Sequence, residues 1–243
     1  MLSFVIPAYN EEFELSETIR AIRTAADAAT TQQYEIIVVD DGSTDRTADI
    51  ATAEGTRLIQ IQRRHIAASR NAGAHAANGD ILFFVDADTR ISPAHVSGAI
   101  DALQAGGAGG GARVAIEGFV PLWARIFVRL FGIVYFGNNL GAGAFLFTTS
   151  DNFEKAGGFD EQLFIGEEVY FSQALKKLGR FRLLKTPVLT SGRKLRMYSG
   201  RYILWRSFWI VLRGKRGVQS RRNLELWYEG RRETAALRAA GEK

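Results

Sequence analysis

Through residues 2–105 the chain alternates short apolar runs with stretches of helical spacing, and this rhythm leaves few folds open. The apolar runs fall at 2–7, 35–39, 57–61 and 81–85. Helices are expected at 11–29, 44–53, 66–77 and 93–105. The first carries Phe13, Leu15, Ile19, Ile22 and Ala26 on one stripe. Ser43 or Thr44 suits the N-cap of the second. Asn78-Gly79 stops the Ala-rich third, and Pro93 opens the fourth. Strand–helix alternation of this kind means βαβ units and a mainly parallel sheet. Strands that are apolar throughout are covered on both faces.

In such a sheet the tips of successive parallel strands share one edge, and ligands bind outside that edge. Three tips are polar: Tyr9-Asn10-Glu11, Asp40-Asp41, and Asp86-Ala87-Asp88. The last is the most informative, because five apolar residues end abruptly in two carboxylates. Two acids so close repel each other unless a cation or several donors satisfy them. Hard oxygen ligands suit Mg²⁺ or Mn²⁺, which in turn grip a diphosphate. Asp alone is a common turn residue. Three polar clusters on one rim favour a ligand site instead.

The second half is less regular. Residues 106–111 read as a Gly-rich loop before a strand at 112–116. A helix at 121–136 would place Trp123, Phe127, Leu130, Phe131 and Val134 on one face, with Arg125 and Arg129 a turn apart. A strand follows at 144–149, then a helix at 167–178 with acids in its first turn and Lys176 and Lys177 in its last, matching its dipole. The expected division is one α/β domain over 1–195, with halves at 1–105 and 106–195, and a basic, amphipathic helical extension (196–243).

Charge is distributed unevenly. Residues 176–222 hold fifteen Lys and Arg and no acid, so with a net charge of +5 the rest stands at −10 (5 minus 15). Aromatic runs interrupt these charges, as at 202–212. That pattern suits peripheral contact with an anionic membrane better than a nucleic-acid stripe. The apolar runs at 119–136 and 202–212 are broken by Arg125, Arg129 and Arg206, and a span needs about 20 apolar residues. No cysteine is present, which excludes disulfides and thiolate metal sites. The N-terminus lacks a basic n-region, so no signal peptide is expected and the cytoplasm is the expected location.

The segments Phe4-Val-Ile-Pro-Ala-Tyr-Asn-Glu-Glu, Val38-Val-Asp-Asp-Gly-Ser-Thr-Asp, Ser69-Arg-Asn-Ala-Gly, Val85-Asp-Ala-Asp, Gly157-Gly-Phe-Asp-Glu and Gly166-Glu-Glu-Val occur in that order. Together they resemble the family 2 glycosyltransferases of the GT-A fold. The resemblance implies an α/β nucleotide-sugar-binding fold and transfer of a sugar from a nucleoside-diphosphate donor to a hydroxyl acceptor, lipid-linked or near a membrane, with inversion and a divalent metal. It implies that Pro7, Tyr9 and Glu11 border the nucleoside and that Asp41, beside Asp40, accepts from the base. Arg70 would help hold the donor, Asp86 would touch ribose or sugar, and Asp88 would ligate Mg²⁺ or Mn²⁺.

The family usually carries Glu-Asp where this chain has Glu167-Glu168, so Glu168 stands in the base position one methylene longer. Glu167 would lie on the substrate side. Many relatives place a His late in the domain. Here Thr190-Ser-Gly-Arg-Lys has none, and Arg193 would reach the diphosphate instead.

A nucleotide-sugar-binding protein without turnover is the alternative that these two departures keep open. A sugar nucleotidyltransferase fits less well, because the first strand is not followed by a Gly-rich loop with a basic residue.

Overall fold

The computed structural model describes residues 1–117 and 135–191, with the single positions 123, 129, 132 and 205. The expected helix at 121–136 falls mostly outside these residues, and the segment 202–212, the extension 196–243 and Arg193 lie outside them apart from position 205.

The first half alternates as expected: β1 (Leu2–Ala8), α1 (Leu15–Ala29), β2 (Tyr34–Asp41), α2 (Thr47–Ala53), β3 (Arg57–Ile61), α3 (Ile66–Ala76), β4 (Ile81–Val85), β5 (Thr89–Arg90) and α4 (Pro93–Gln104). Then come β6 (Gly107–Glu117), β7 (Phe145–Thr149), α5 (Ser150–Ala156), α6 (Glu167–Leu178) and β8 (Arg180–Ser191). The described strands form one sheet in the order β3-β2-β1-β4-β7-β6-β8-β5. β3, β2, β1 and β4 run parallel, and β7 joins β4 antiparallel. The sheet therefore continues unbroken from the first half into the second.

Alternation along each strand sorts the core into two layers. Phe4, Ile6, Phe83 and Val85 face α1 and α4, packing on Leu15, Ile19, Ile22, Val96 and Ile100. Val5, Leu82 and Phe84 face the other way, onto Ala67 and Ala74 of α3, Phe153 of α5, and Phe171 and Leu175 of α6. This is the period-2 side-chain pattern of a strand buried on both sides. α3 sits close because it is small-sided: a Cβ on Gly73 would overlap the Val5 side chain.

Three local expectations change. Residues 107–111 are not a loop but the start of β6, paired with both β7 and β8. Glycine is depleted in strands on general grounds, yet here crowding requires it. A Cβ on Gly110 would overlap the Arg182 carbonyl oxygen and the Phe147 ring. We expect Gly110→Ala to destabilise the fold by about 3 kcal/mol through overpacking, read as a lowered denaturation midpoint.

Secondly, α1 begins at Leu15 rather than at residue 11, after a turn in which the Glu11 carbonyl accepts from Glu14 and Leu15. Thirdly, Ser43 and Thr44 do not cap α2. Ser43 Oγ accepts from the Asn10 N–H (2.9 Å), and the Thr44 N–H donates to Asn10 Oδ1 (2.8 Å). Tertiary partners outcompete the local cap. β5 and β8 were not expected, because two-residue β5 exists only by pairing with β8 at Thr89↔Thr190 and Arg90↔Leu189.

Candidate active site

The tips of β1 and β2 are laced together. Pro7 is buried within β1 opposite Val39, while Tyr9 and Glu11 lie half-buried in the following loop. The Glu11 N–H donates to Thr47 Oγ1 at 2.8 Å. Asn10 takes a left-handed backbone (φ 53°) that lets it reach across to Ser43 and Thr44. Asn tolerates that conformation better than most residues. Asp40 closes the turn after β2 by accepting from the Ser43 N–H at 3.1 Å.

Asp41 has a task the sequence did not announce. Its Oδ1 accepts from the N–H groups of Arg63 and Arg64 (both 2.7 Å), and its Oδ2 from the His65 N–H (2.6 Å) and Ser69 Oγ (3.2 Å). A carboxylate offers about four acceptor sites, so this one is committed to the loop after β3. The loop in turn lays the Arg64 guanidinium over the Tyr9 ring, 3.4 Å from its centroid. His65, given no role from sequence, is buried against Phe164.

The acids after β4 sit in a turn. The Asp86 N–H donates to the Ala144 carbonyl and the Thr89 N–H returns to the Asp86 carbonyl. Ala87 faces the core, and the carboxylates of Asp86 and Asp88 are part-exposed. Thr190 Oγ1 donates to Asp88 Oδ1 at 3.2 Å, and the Ser191 N–H donates to the Asp88 carbonyl. The end of β8, where the Thr190-Ser-Gly-Arg-Lys segment begins, is thus brought against Asp88.

Arg70 joins the two halves of the site. Its side chain is 1% exposed, and its guanidinium donates to Asp86 Oδ1 (2.8 Å), to Glu167 Oε1 (2.6 Å) and to the Gly143 carbonyl (3.1 Å). Glu167 is 3% exposed. Arg70 and Glu167, both expected on the substrate side, here form a buried bridge between the β4 tip and the α6 N-terminus. Burial alone would lower the Arg70 pKa, but the carboxylates of Asp86, Glu167 and Glu168 raise it above its ordinary value. Arg70 stays charged.

One guanidinium faces three carboxylates, so the cluster has acid to spare. Burial first, and Glu168 second, push Glu167 up to about 8 against the opposing pull of Arg70. Glu168, part-exposed in the first turn of α6, is also raised, by burial first, with Arg70 pulling it back down. Tyr135 lies beside it, its hydroxyl 3.0 Å from the Gly141 carbonyl and 3.4 Å from Glu168 Oε1. Sequence gave no signal for Tyr135, which sits in an aromatic stretch that reads as packing.

Asn71, next to Arg70, performs a parallel service. Its side-chain amide exchanges hydrogen bonds with both the N–H and the carbonyl of Phe159, at 2.9 Å each, and donates to Glu161 Oε1 (3.0 Å). Arg63 pairs with Glu161 Oε2 at 2.9 Å. The loop leading to Glu167 is thereby fastened to α3. Asp160 shapes that loop, accepting from the Gln162 N–H.

Among the described residues no three His, Cys, Asp or Glu side chains are grouped to enclose a metal ion. The donors at hand are hard carboxylate and hydroxyl oxygens. They fit a Mg²⁺ or Mn²⁺ ion that keeps few protein ligands and completes its shell with water and phosphate. They do not fit a dedicated all-protein cage. No described helix is long and apolar enough to cross a membrane.

Comparison with known proteins agrees with this architecture. The chain is 17% identical to S. aureus TarS (residues 1–349) in complex with UDP-GlcNAc, with a TM-score of 0.61 over 94% of this chain and 70% of that one. It is 19% identical to the mannosyltransferase PcManGT of Pyrobaculum calidifontis in complex with GDP-Man and Mn²⁺, with a TM-score of 0.60 over 84% of this chain and 59% of that one. The fold is that of GT-A glycosyltransferases. In sequence it is 35% identical over 117 residues to the undecaprenyl-phosphate 4-deoxy-4-formamido-L-arabinose transferase of Edwardsiella ictaluri, covering 43% of this chain and 34% of that protein. The corresponding Klebsiella pneumoniae (strain 342) protein is 33% identical over 43% of this chain and 34% of its own length. The match thus spans about a third of these relatives. The model of Glycosyl transferase family 2 matches residues 3–162, which include both acid motifs up to Asp88 and the Arg70–Asn71 pair that ties them to the second half. More than half of the 243 residues are matched, and the chain belongs to glycosyl transferase family 2.

Proposed function

We propose that this chain transfers a sugar from a nucleoside-diphosphate donor to an acceptor hydroxyl, with inversion at the anomeric carbon. The observation that carries this reading is the Arg70 bridge, which holds the acids of the β4 tip and those of the α6 N-terminus in one rigid cluster. One side suits a donor and the other an acceptor. The nucleoside would lie along Pro7, Tyr9 and Glu11 and the turn at Asp40. Asp41 would act on the base indirectly, by fixing the loop that carries Arg64. Asp86 would face ribose or sugar. Arg193, outside the described residues, remains our candidate for the diphosphate.

Glu168 would take the acceptor hydroxyl's proton as the oxygen attacks the anomeric carbon and the carbon–diphosphate bond breaks. A base works best with a pKa near the working pH, and the raised pKa of Glu168 moves it that way. Asp88 would hold the divalent ion, with Thr190 orienting its carboxylate. Such an ion, when bound, neutralises charge on the departing diphosphate.

A second reading of the acceptor comes from the relatives' names, which specify undecaprenyl phosphate. A phosphate oxygen is already anionic and needs no base. We infer a lipid-linked acceptor, reached by peripheral contact of the basic C-terminal third with an anionic membrane. Flotation with anionic vesicles tests that contact, and an unbound chain would refute it.

The donor is tested by thermal shift against UDP, GDP, dTDP and CDP with and without Mn²⁺. We expect one nucleotide at about a hundred times its Kd to add about 2.7 kcal/mol of stability, and only with the metal. Equal stabilisation after chelation would remove the metal from the reading.

A further inference from the structure

We propose that Thr18 and Arg90 are positioning residues for the Asp86–Asp88 turn, locking the Ala87 carbonyl so that the turn presents its acids to a donor diphosphate and its metal. This rests on the sugar-transfer reading above. The turn lies between two strands and outside the regular ladder, since β4 ends at Val85 and β5 begins at Thr89. Its backbone polar groups therefore need partners from elsewhere. The Asp86 N–H finds the Ala144 carbonyl and the Asp86 carbonyl takes the Thr89 N–H.

The Ala87 carbonyl, in the middle, accepts from Thr18 Oγ1 at 2.7 Å. Thr18 is wholly buried and lies on α1, 69 residues away in sequence. Its hydroxyl has one proton, and that proton is directed to Ala87 because Arg90 Nη1 donates to the same oxygen at 2.6 Å. Arg90 is in turn held by Glu14 Oε2 (2.6 Å), at the N-cap of α1, and Glu17 Oε2 (2.8 Å), in its first turn.

The arrangement is a one-way relay: two acids orient Arg90, Arg90 orients the Thr18 hydroxyl, and Thr18 fixes the carbonyl between Asp86 and Asp88. It also ties the donor half together. α1 begins where the loop after β1 ends, and that loop carries Tyr9 and Glu11. A pure packing role would need only an apolar side chain at position 18, since Thr18 is wholly buried.

The test measures Mn²⁺ affinity of the full-length chain by electron paramagnetic resonance of free Mn²⁺, with the nucleoside diphosphate that stabilises the wild type most. Thr18→Val keeps the volume and removes both hydrogen bonds. We expect about tenfold weaker Mn²⁺ binding, the size of one buried hydrogen bond expressed as affinity. The metal KM should rise in step, with the acceptor KM unchanged. Thr18→Ser should restore both.

Wild-type Mn²⁺ affinity in a folded Thr18→Val protein would overturn the proposal. If that variant gives no cooperative melt, Arg90→Lys carries the test, because it keeps the charge but loses the fork that reaches Thr18 and Glu14 together. Unchanged affinity there would overturn it equally. A wild type that binds no Mn²⁺ with any of the four nucleotides overturns the donor reading, and this inference with it.

Discussion

Arg70→Met is expected to cost about 3–5 kcal/mol of stability and to abolish measurable transfer. Methionine keeps most of the volume, so the loss reports charge. Removing one member of a buried ion pair strands its partner, and that penalty exceeds the net worth of the pair itself. Here the buried Glu167 would lose its salt bridge, and the part-exposed Asp86 and Glu168 would lose the pull of the same guanidinium. Denaturant unfolding measures the effect.

Its pH dependence gives a sharper check. In the wild type Glu167 is pushed up to about 8, by burial first. A carboxyl raised on folding contributes stability that is complete below its unfolded pKa and is lost as pH rises through the folded value. Without the downward pull of Arg70, Glu167 and Glu168 rise further still. The variant should therefore be hurt more at about pH 9 than at about pH 6, where the cluster can hold protons. Adding Glu167→Gln should recover part of the loss, because neighbours in one network are not additive. A cost below 1 kcal/mol on the order of a surface pair would mean that Arg70 is not the bridge described.

Glu168→Gln is expected to lower kcat by about 10²–10⁴-fold, the usual contribution of a positioned base. The fold should tolerate it well. Gln keeps the shape and an acceptor for Tyr135, and it removes one negative charge from a cluster with more acid than cation. We expect an unchanged donor-dependent thermal shift and a melting temperature no lower than wild type. The wild-type rate should fall on the acid side as Glu168 takes up a proton, at a pH above the ordinary carboxylate range, because burial raises it. That acid limb should vanish in the variant. Near-normal turnover would instead favour an acceptor that is already anionic, such as the phosphate in the relatives' names.

Much of this site could be located from sequence, but its wiring could not. Asp86, Asp88 and Glu168 lie at the strand tip and helix start where spacing and helix polarity put them. Arg70 was visible as a motif residue, yet its partners were not. Glu167 is 97 residues away in sequence, and no local pattern records which acid a buried guanidinium will meet. The family resemblance implied that Asp41 accepts from a base, and no local pattern announced the backbone N–H groups that its oxygens meet. The loop that takes up its oxygens arrives only when β3 pairs beside β2.

The same division runs through the fold. The alternation of apolar strands with amphipathic helices settled the parallel half of the sheet and its two covered faces, because side-chain periodicity is a local property of the backbone. β6, β8 and β5 depended on the assembled molecule. Five residues of Gly and Ala carry no periodic signal, and β6 forms from them because β7 and β8 flank it so closely that larger side chains would collide. What the sequence determined by itself was which segments bury and which rim is polar. Which donors meet which acids was decided by tertiary contact, since hydrogen bonds and ion pairs between distant residues have no period to read.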